Sequence, residues 1–351
     1  MLQVDNRTPF AAALAVFADR HGVETAVLCM KAAFEFGEHG LAPAARPVPL
    51  LPGDVFAGDP ETTGLRAAGE LALPRPATDI TVLGHAIAPR EGTRGMAVAL
   101  QVGPVASTLL VQGERRWQRH GLAWRPSEPA PFERVPLRWE LAFGGLERVP
   151  EGETAKHYEA RNPVGCGFIG PRESGFEDRP LPQIEHPEDR LQEPGQRCTP
   201  VGWSPIPPFL APRRTWAGTY DDAWQRKRAP FLPLDFDERF LNTMPPAMVA
   251  PGHLQGGEPV RIAGCRTGGE VLAFELPHCT PSLRWRFRGG EHDTGATLAA
   301  VILEPERPRV QLLWQAAFAV DKHLLKLEQV RVDCEAWPQD AYLGTQMRRA
   351  A

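Results

Sequence analysis

The segment 201–246 reads VGWSPIPPFLAPRRTWAGTYDDAWQRKRAPFLPLDFDERFLNTMPP. It mixes aromatic rings, prolines, glycines and carboxylates without the repeat of a helix or a strand. Because no local pattern folds such a segment, it needs specific ring packing and fixed turns to stay ordered. Long irregular segments of compact proteins often carry function. We therefore expect a structured insert with a functional role at this place in the chain.

Short apolar runs with strand character lie on both sides of this segment. The runs are 11–17, 25–36, 78–88, 96–102, 108–112 and 135–143 upstream, and 260–263, 271–276, 283–288, 297–303, 310–320 and 324–332 downstream. Together with the 33 Gly and 37 Pro of the whole chain, these runs predict a mainly β fold: an antiparallel β-sandwich or barrel-like sheets, a long irregular insert and a few short helices. The alanine-rich run 11–17 also allows a helix.

The strand runs divide the chain into four predicted portions. These are an N-terminal β-rich portion 1–143, an irregular aromatic and proline-rich insert 144–259, a C-terminal β-rich portion 260–335 and a polar tail 336–351 that frays. The two β-rich portions could form one integrated domain or two. Within the insert we expect short helices near 221–227 and 235–241, the first capped by Asp221.

Composition and charge exclude several classes of function. The 351 residues carry 39 basic and 43 acidic side chains, and this balance gives no electrostatic reason to expect nucleic acid as a partner. Isolated arginine pairs at 115–116, 213–214 and 348–349 are expected in solvent. No apolar run approaches the length of a membrane span, so we expect no membrane insertion.

The N-terminus lacks the basic start and apolar core of a secretory signal, which predicts a cytoplasmic protein with reduced, buried thiols. The six cysteines include no Cys-x-x-Cys spacing. We therefore expect neither a metal site nor a cofactor.

Two groups of residues could carry catalysis. Cys166 lies between two glycines and could be a nucleophile with His157 or His186 as its base, or simply a small thiol in a tight turn. Asp235 and Asp237 could act as a carboxylate pair, or could cap helices and accept hydrogen bonds from loop amides. The structural interpretation is favoured for both groups, because nothing in the sequence places a base or a third ligand beside them.

The aromatic residues of the insert allow two interpretations. They are Trp203, Phe209, Trp216, Tyr220, Trp224, Phe231, Phe236 and Phe240. Either they pack as a small core that holds the insert on a sheet, or some of them remain exposed and bind a partner. Trp216, Tyr220 and Trp224 are the candidate partner-binding residues, because they cluster in an irregular segment flanked by prolines.

An ordered series of motifs extends from the N-terminus through the insert. It comprises Asn6-x-Thr8-Pro9-Phe10, Thr78-Asp79-Ile80-x-Val82-x-Gly84-x-Ala86, Val111-x-Gly113-x-Arg115-x-Trp117, Pro136-Leu137-x-Trp139-Glu140-x-Ala142-Phe143-Gly144-Gly145, Asn162-Pro163-x-Gly165-x-Gly167, Leu181-Pro182-x-Ile184-Glu185, Gly202-Trp203-x-Pro205-Ile206, Gly218-Thr219-Tyr220-Asp221-x-x-Trp224, Leu232-Pro233-x-Asp235-Phe236-Asp237, Phe240-x-Asn242 and Pro245-Pro246. The series resembles a bacterial domain of unknown function that is encoded beside type VI secretion genes. Several members of that family act as adaptors or chaperones of secreted effectors.

The resemblance implies a function and its partners. It implies a non-enzymatic, cytoplasmic adaptor that binds a cognate effector or a PAAR-containing protein and promotes loading on the VgrG spike. It brings no catalytic residues with it. Two alternatives remain: a hydrolase-like cytoplasmic enzyme that uses Cys166 or the pair Asp235 and Asp237, and a structural component of the secretion tip.

Overall fold

A computed structural model describes residues 3–37, 40–150, 152–171, 173 and 175–337. The strands are β1 Gln3–Asn6, β2 Ala11–Ala18, β3 Glu24–Gly37, β4 Gly40–Pro43, β5 Val55–Phe56, β6 Leu65–Ala67, β7 Asp79–Val82, β8 His85–Ile87, β9 Gly95–Val102, β10 Val105–Gln112, β11 Trp117–His120, β12 Ala123–Pro126, β13 Arg134–Pro136, β14 Phe143–Gly144, β15 Cys166–Gly167, β16 Ile184–Glu185, β17 Pro259–Ala263, β18 Leu272–Glu275, β19 Ser282–Phe287, β20 Gly290–Gly295, β21 Thr297–Glu304, β22 Arg309–Ala319 and β23 Leu327–Asp333. The helices are α1 Arg213–Trp216 and α2 Asp222–Lys227, with short 3-10 turns at Trp139–Leu141, Glu238–Leu241, Pro246–Met248, Thr267–Gly269 and Asp321–Lys326. The predicted tail lies outside the described residues from position 338 onward.

The strands form three larger sheets and several two-stranded ribbons. The largest sheet has the order β2-β3-β22-β21-β7, with β4 also on β3; a second has the order β16-β10-β9-β17-β18, and a third β1-β23-β19-β20. Most pairs are antiparallel, while β7 runs parallel to β21 and β1 parallel to β23. The prediction of a mainly β fold is confirmed, and no sheet in the described part of the chain closes into a barrel.

Strands from the two ends of the chain pair with each other in all three sheets. β3 pairs with β22 from Glu35–Arg309 to Thr25–Ala319, β9 pairs with β17, and β1 pairs with β23. The predicted portions 1–143 and 260–335 therefore share their sheets. One main core lies between the sheets and contains side chains from each of them, such as Leu28, Val98 and Val330.

The largest sheet is buried on both faces. Its second face is covered by a segment that contributes Leu50, Leu71 and Leu73 to a smaller cluster around Val27 and Leu313. Burial on both faces explains why the sequences of β3 and β22 read as nearly continuous apolar runs. For the run 11–17, strand β2 replaces the helical alternative.

Two predicted strands are interrupted. The run 78–88 breaks into β7 and β8 around Gly84, and the run 135–143 contains only β13, a 3-10 turn and the start of β14. The alternation in the second run does mark burial, because Leu137, Trp139 and Phe143 are all buried. However, the indole Nε1 of Trp139 donates to the carbonyl of Ser204 at 2.9 Å, so this segment packs against the insert instead of extending a sheet.

Within the insert, the segment 201–246 is attached to the sheets at both of its ends. Trp203 is fully buried: its indole donates to the Ser107 hydroxyl at 2.8 Å, and its carbonyl accepts the amide of Val82 at 3.0 Å. At the other end, the carboxylate of Asp79 accepts from the Asn242 side chain at 2.8 Å and from the Thr243 amide at 2.7 Å. These contacts hold both ends of the segment between Trp203 and Asn242 on the sheets.

Candidate partner-binding surface

The aromatic lobe, defined here as residues 213–240, begins with a buried arginine. The Arg213 guanidinium donates to the carbonyl of Ile206 at 2.6 Å and to that of Phe240 at 3.2 Å. Burial lowers the pKa of Arg213 to about 10. The expectation that the arginine pairs lie in solvent is therefore wrong for Arg213, whose guanidinium binds buried backbone carbonyls. It is also wrong for Arg115, which is buried and pairs with Glu185 at 2.7 Å.

Trp216 is half-buried and packs inside the lobe. Its carbonyl accepts the amide of Asp237 at 3.0 Å, and the Arg239 guanidinium lies over its ring at 5.1 Å from the centroid. A guanidinium over an indole is a favourable cation–π arrangement. Trp216 therefore has a clear packing role in the described structure.

Tyr220 and Trp224 contact each other on the outside of the lobe. Their rings meet edge to face at 4.7 Å, and Tyr220 is 53% exposed. Helix α2 starts here as expected, because the Asp221 carboxylate accepts the amide of Trp224 at 2.7 Å as its N-cap. The Trp224 indole donates to the carbonyl of Phe231 at 2.8 Å, which fixes its orientation while leaving the ring half-buried.

The lobe leaves several large apolar side chains exposed to solvent. Phe231 is 39% exposed and Leu234 is 83% exposed, and no residue of α2 is buried. The rings of Tyr220 and Trp224 are in contact, and the Trp224 indole donates to the backbone carbonyl of Phe231, so the three residues lie close together on the lobe. Connected exposed aromatic side chains are typical of surfaces that bind a partner protein.

The lobe contacts the turn that joins β2 to β3. The Arg228 guanidinium donates to the carbonyl of Arg20, and the Phe231 ring lies against Gly22. The same guanidinium is 5.7 Å from the centroid of the Phe231 ring. These contacts place the exposed rings at one end of strand β2.

Strand β2 is an edge of the largest sheet and pairs with β3 alone. At the turn, the amide of Asp19 donates to the carbonyl of Val23. The backbone N–H and C=O groups of the odd-numbered residues of β2 therefore point toward β3, and those of the even-numbered residues point away from it. The outward carbonyl of Phe10 is bound by the Asn6 side chain at 2.7 Å. Beyond it, the outward backbone groups of residues 12, 14, 16 and 18 have no hydrogen-bond partner among the described residues.

This open edge is apolar on both faces. Ala12 and Leu14 pack toward the main core, while Phe17 packs on the opposite face toward the smaller cluster. Val16 is 38% exposed, and the strand contains no charged residue. Long apolar edges with unpaired backbone groups are templates for an added strand. Sequence reasoning did not identify β2 as an edge, because alternation does not specify which strands pair.

The two carboxylates considered for catalysis have structural partners. Asp235 accepts from the hydroxyl of Thr219 at 2.7 Å and from its amide at 3.0 Å, and these hydrogen bonds lower the pKa of Asp235. Asp237 caps the 3-10 turn Glu238–Leu241 and pairs with Arg239, whose hydrogen bonds lower the pKa of Asp237. Within the described residues no group of three or more His, Cys, Asp or Glu could hold a metal ion.

Cys166 has no hydrogen bond to either histidine proposed as its base among the described residues. His157 pairs with Glu147 at 2.8 Å, and the Nδ1 of His186 accepts the amide of Glu188 at 3.2 Å. Burial raises the pKa of the Cys166 thiol to about 12, so it is protonated at neutral pH. A protonated thiol without a neighbouring base is a poor nucleophile.

A groove of about 1030 Å³ lies on the outer face of strands β9, β10 and β17. Its floor consists mainly of small side chains such as Ala99 and Ala106, and segments 186–188, 199–202 and 245–248 form its walls. Within the described residues, no hydroxyl group of this lining is hydrogen-bonded to His186. It shares no residue with the aromatic lobe or with strand β2.

No helix in the described ranges is long and apolar enough to cross a membrane. A sequence model of the family "Uncharacterized protein conserved in bacteria (DUF2169)" matches residues 21–315. This match confirms the expected bacterial family of unknown function, whereas the association with type VI secretion stays a prediction. Comparisons with curated proteins and with solved structures found no match.

Proposed function

The chain belongs to the DUF2169 family of uncharacterized bacterial proteins, and we propose that it is a protein-binding adaptor without enzymatic activity. One observation carries this proposal: the open edge of β2 continues, through the turn at Arg20 and Gly22, into the exposed rings of the aromatic lobe. An unpaired edge and an aromatic surface at its end are the two parts that a binding site for an extended peptide needs.

The partner is an extended, apolar segment of another protein. Its backbone pairs with the outward amides and carbonyls of β2, whose eight residues offer roughly 27 Å of edge at ~3.4 Å per residue. Its apolar side chains pack beside Leu14 and Val16, and the residues that follow contact Tyr220 and Leu234. Backbone pairing supplies affinity, while the rings supply specificity.

We further propose that this partner is a type VI effector or a PAAR-containing protein, and that the complex forms in the cytoplasm before loading on VgrG. The ordered motif series supports this finer assignment through its resemblance to effector adaptors. The apolar edge is consistent with it, because an adaptor must cover partner surface that would otherwise aggregate before assembly.

The test is co-expression of the tagged full-length chain with the effector, PAAR and VgrG proteins encoded beside it. We expect one of them to gain solubility and to elute with the chain as a 1:1 complex in size-exclusion chromatography. Tyr220→Ala should weaken that complex about 10- to 30-fold, the loss typical of one aromatic anchor. The matched control is Leu122→Ser, which changes a side chain that is 98% exposed in the β11–β12 turn.

A second pair of variants tests the edge of β2. Val16→Pro removes an outward amide while sparing the hydrogen bonds to β3, and it should block binding. Val16→Thr keeps the amide and should bind normally. Full binding by both Val16→Pro and Tyr220→Ala, in variants that remain folded, would refute this site.

Binding, secretion and export assays together separate the alternatives. A well-folded chain that binds none of the encoded neighbours would contradict the adaptor function. Loss of the secretion phenotype in Cys166→Ala, with folding unchanged, would instead favour an enzyme. Export of the chain together with the spike would favour a structural component of the tip.

A further inference from the structure

Two buried cysteines, Cys279 and Cys334, lie next to each other where β19 begins and β23 ends. The Sγ atoms of Cys279 and Cys334 are 3.1 Å apart, and both side chains are within the main core. The antiparallel pairing of β19 with β23 accounts for this approach, because Ser282 and Asp333 are partners and the two cysteines lie just beyond that pair. The backbone therefore holds these two sulfurs together although they are 55 residues apart in sequence.

The two thiols have different environments. Hydrogen bonds from the Cys279 thiol and from the amides of Trp337 and Ala336 lower the pKa of Cys334. The hydrogen bond to Cys334, together with burial, raises the pKa of Cys279. Cys334 is thus the better thiolate of the pair, and it has a second thiol directly beside it, which is the arrangement that thiol–disulfide exchange needs.

We propose that Cys279 and Cys334 are a disulfide site, which forms by exchange with a small disulfide such as oxidised glutathione. The Cys334 thiolate attacks one sulfur of the donor, giving a mixed disulfide and releasing one glutathione thiolate. The Cys279 thiolate then attacks the Cys334 sulfur and releases the second glutathione. Two protein thiols are oxidised, one donor disulfide is reduced to two thiols, and the two protein protons pass to solvent or to the released thiolates.

The bond would fix the end of β23. Directly after this strand, the Trp337 amide donates to the carbonyl of Cys334 at 3.1 Å, and the Trp337 ring meets that of Phe34 edge to face at 5.7 Å. A bridge from Cys334 to Cys279 would attach this turn to the segment that precedes β19. Because it closes a long loop, the bridge stabilises the folded state mainly by restricting the unfolded chain.

The experiment uses the full chain, refolded or incubated in glutathione buffers that range from reducing to oxidising. Intact-mass spectrometry should show the loss of two hydrogens. Proteolytic digestion without reductant should yield a disulfide-linked pair of peptides, one containing Cys279 and the other Cys334. Since both sulfurs are buried, oxidation should be faster during refolding than in the native protein. The oxidised form should unfold at a higher urea concentration than the reduced form.

Three variants make the result specific. Cys334→Ser should abolish both the mass change and the oxidation-dependent shift in the urea midpoint, and Cys279→Ser should do the same. Cys265→Ser is the matched control, since Cys265 is equally buried and has no cysteine neighbour among the described residues, and it should retain both effects. The proposal is overturned if all six thiols stay free in the wild-type protein after refolding with oxidised glutathione. A bridge between any other pair of cysteines also overturns it. Both outcomes are measured on the wild-type protein, so neither depends on whether a variant folds.

Discussion

Replacing Asp79 with asparagine should loosen the attachment of the insert. Asp79 is fully buried at the start of β7, where it forms an ion pair with Arg75 at 3.1 Å. It also accepts from the side chain of Asn242 and from the amide and hydroxyl of Thr243, at 2.7 to 2.9 Å. One carboxylate therefore holds the end of the insert, more than 160 residues away in sequence, on the largest sheet.

The magnitude follows from what the substitution leaves behind. Asp79→Asn keeps the shape of the side chain but leaves the Arg75 guanidinium buried without its counter-charge. It also places an amide donor where Asn242 and Thr243 already donate. Removing one member of a buried ion pair costs about 3–5 kcal/mol. Since a whole domain is typically stable by only ~5–15 kcal/mol, we expect a loss of about 4 kcal/mol in the free energy of unfolding.

Urea denaturation of the wild-type and variant chains measures this loss as a fall in the midpoint. Limited proteolysis should show faster cleavage within 201–246, because the insert is the part that the carboxylate holds. Asp293→Asn is the matched control: the same change is made at an exposed carboxylate that also pairs with an arginine, Arg284, at 2.8 Å. Exposed pairs contribute little to stability, so this midpoint should not move measurably.

Two results would refute this reasoning. One is an Asp79→Asn midpoint as close to wild type as that of Asp293→Asn. The other concerns Arg75→Met, which removes the stranded charge. If Arg75→Met fails to recover any stability when added to Asp79→Asn, then the unpaired guanidinium is not the source of the loss.

Three further predictions concern buried ionisable groups. Burial raises the pKa of Cys265 from 9.0 to about 12, so above pH 9 the unfolded chain binds fewer protons than the folded one. Between these two pKa values, the free energy of unfolding should fall by about 1.4 kcal/mol for each unit of pH increase because of this thiol. The urea midpoints measured at pH 8 and at pH 10 should therefore differ less for Cys265→Ala than for the wild-type protein. Lys31 and Glu70 pair at 2.7 Å with only 3% of either side chain exposed; Lys31→Met should cost about 3–5 kcal/mol, and adding Glu70→Gln should recover part of it in the same denaturation assay. Cys166 is half-buried, and because its pKa is raised to about 12, it should resist iodoacetamide at pH 8 in the folded protein; rapid labelling resolved by peptide mapping would contradict this raised pKa.

Local features of this protein were predictable because neighbouring residues determine them. Strand β9 follows from the alternation of the run 96–102, and helix α2 begins where Asp221 offers a cap. The long irregular insert was predictable from the absence of any period. In contrast, β20 was missed, because Gly290–Gly295 is polar and mostly exposed and therefore shows no alternation.

The candidate site could be predicted only in part. Clustering in sequence drew attention to the insert, but the hydrophobicity of a ring is the same whether the ring is buried or exposed. Trp203 is fully buried and Tyr220 is 53% exposed, although both belong to the aromatic-rich segment 201–246. The tertiary structure separates the two roles, because Trp203 packs on the sheets beside Ser107 and Val82, whereas Tyr220 contacts Trp224 on the outside of the lobe.

By itself the sequence determined the mainly β class, the position of the insert and the family, because each depends on short-range patterns and on the order of motifs. The tertiary structure decided which strands pair, which edge stays open and which distant groups meet. Alternation tells a strand which face to bury but not which strand to choose. For that reason, three features are visible only in the folded chain. They are the open edge of β2, the hydrogen bond between Asp79 and Asn242, and the contact between Cys279 and Cys334.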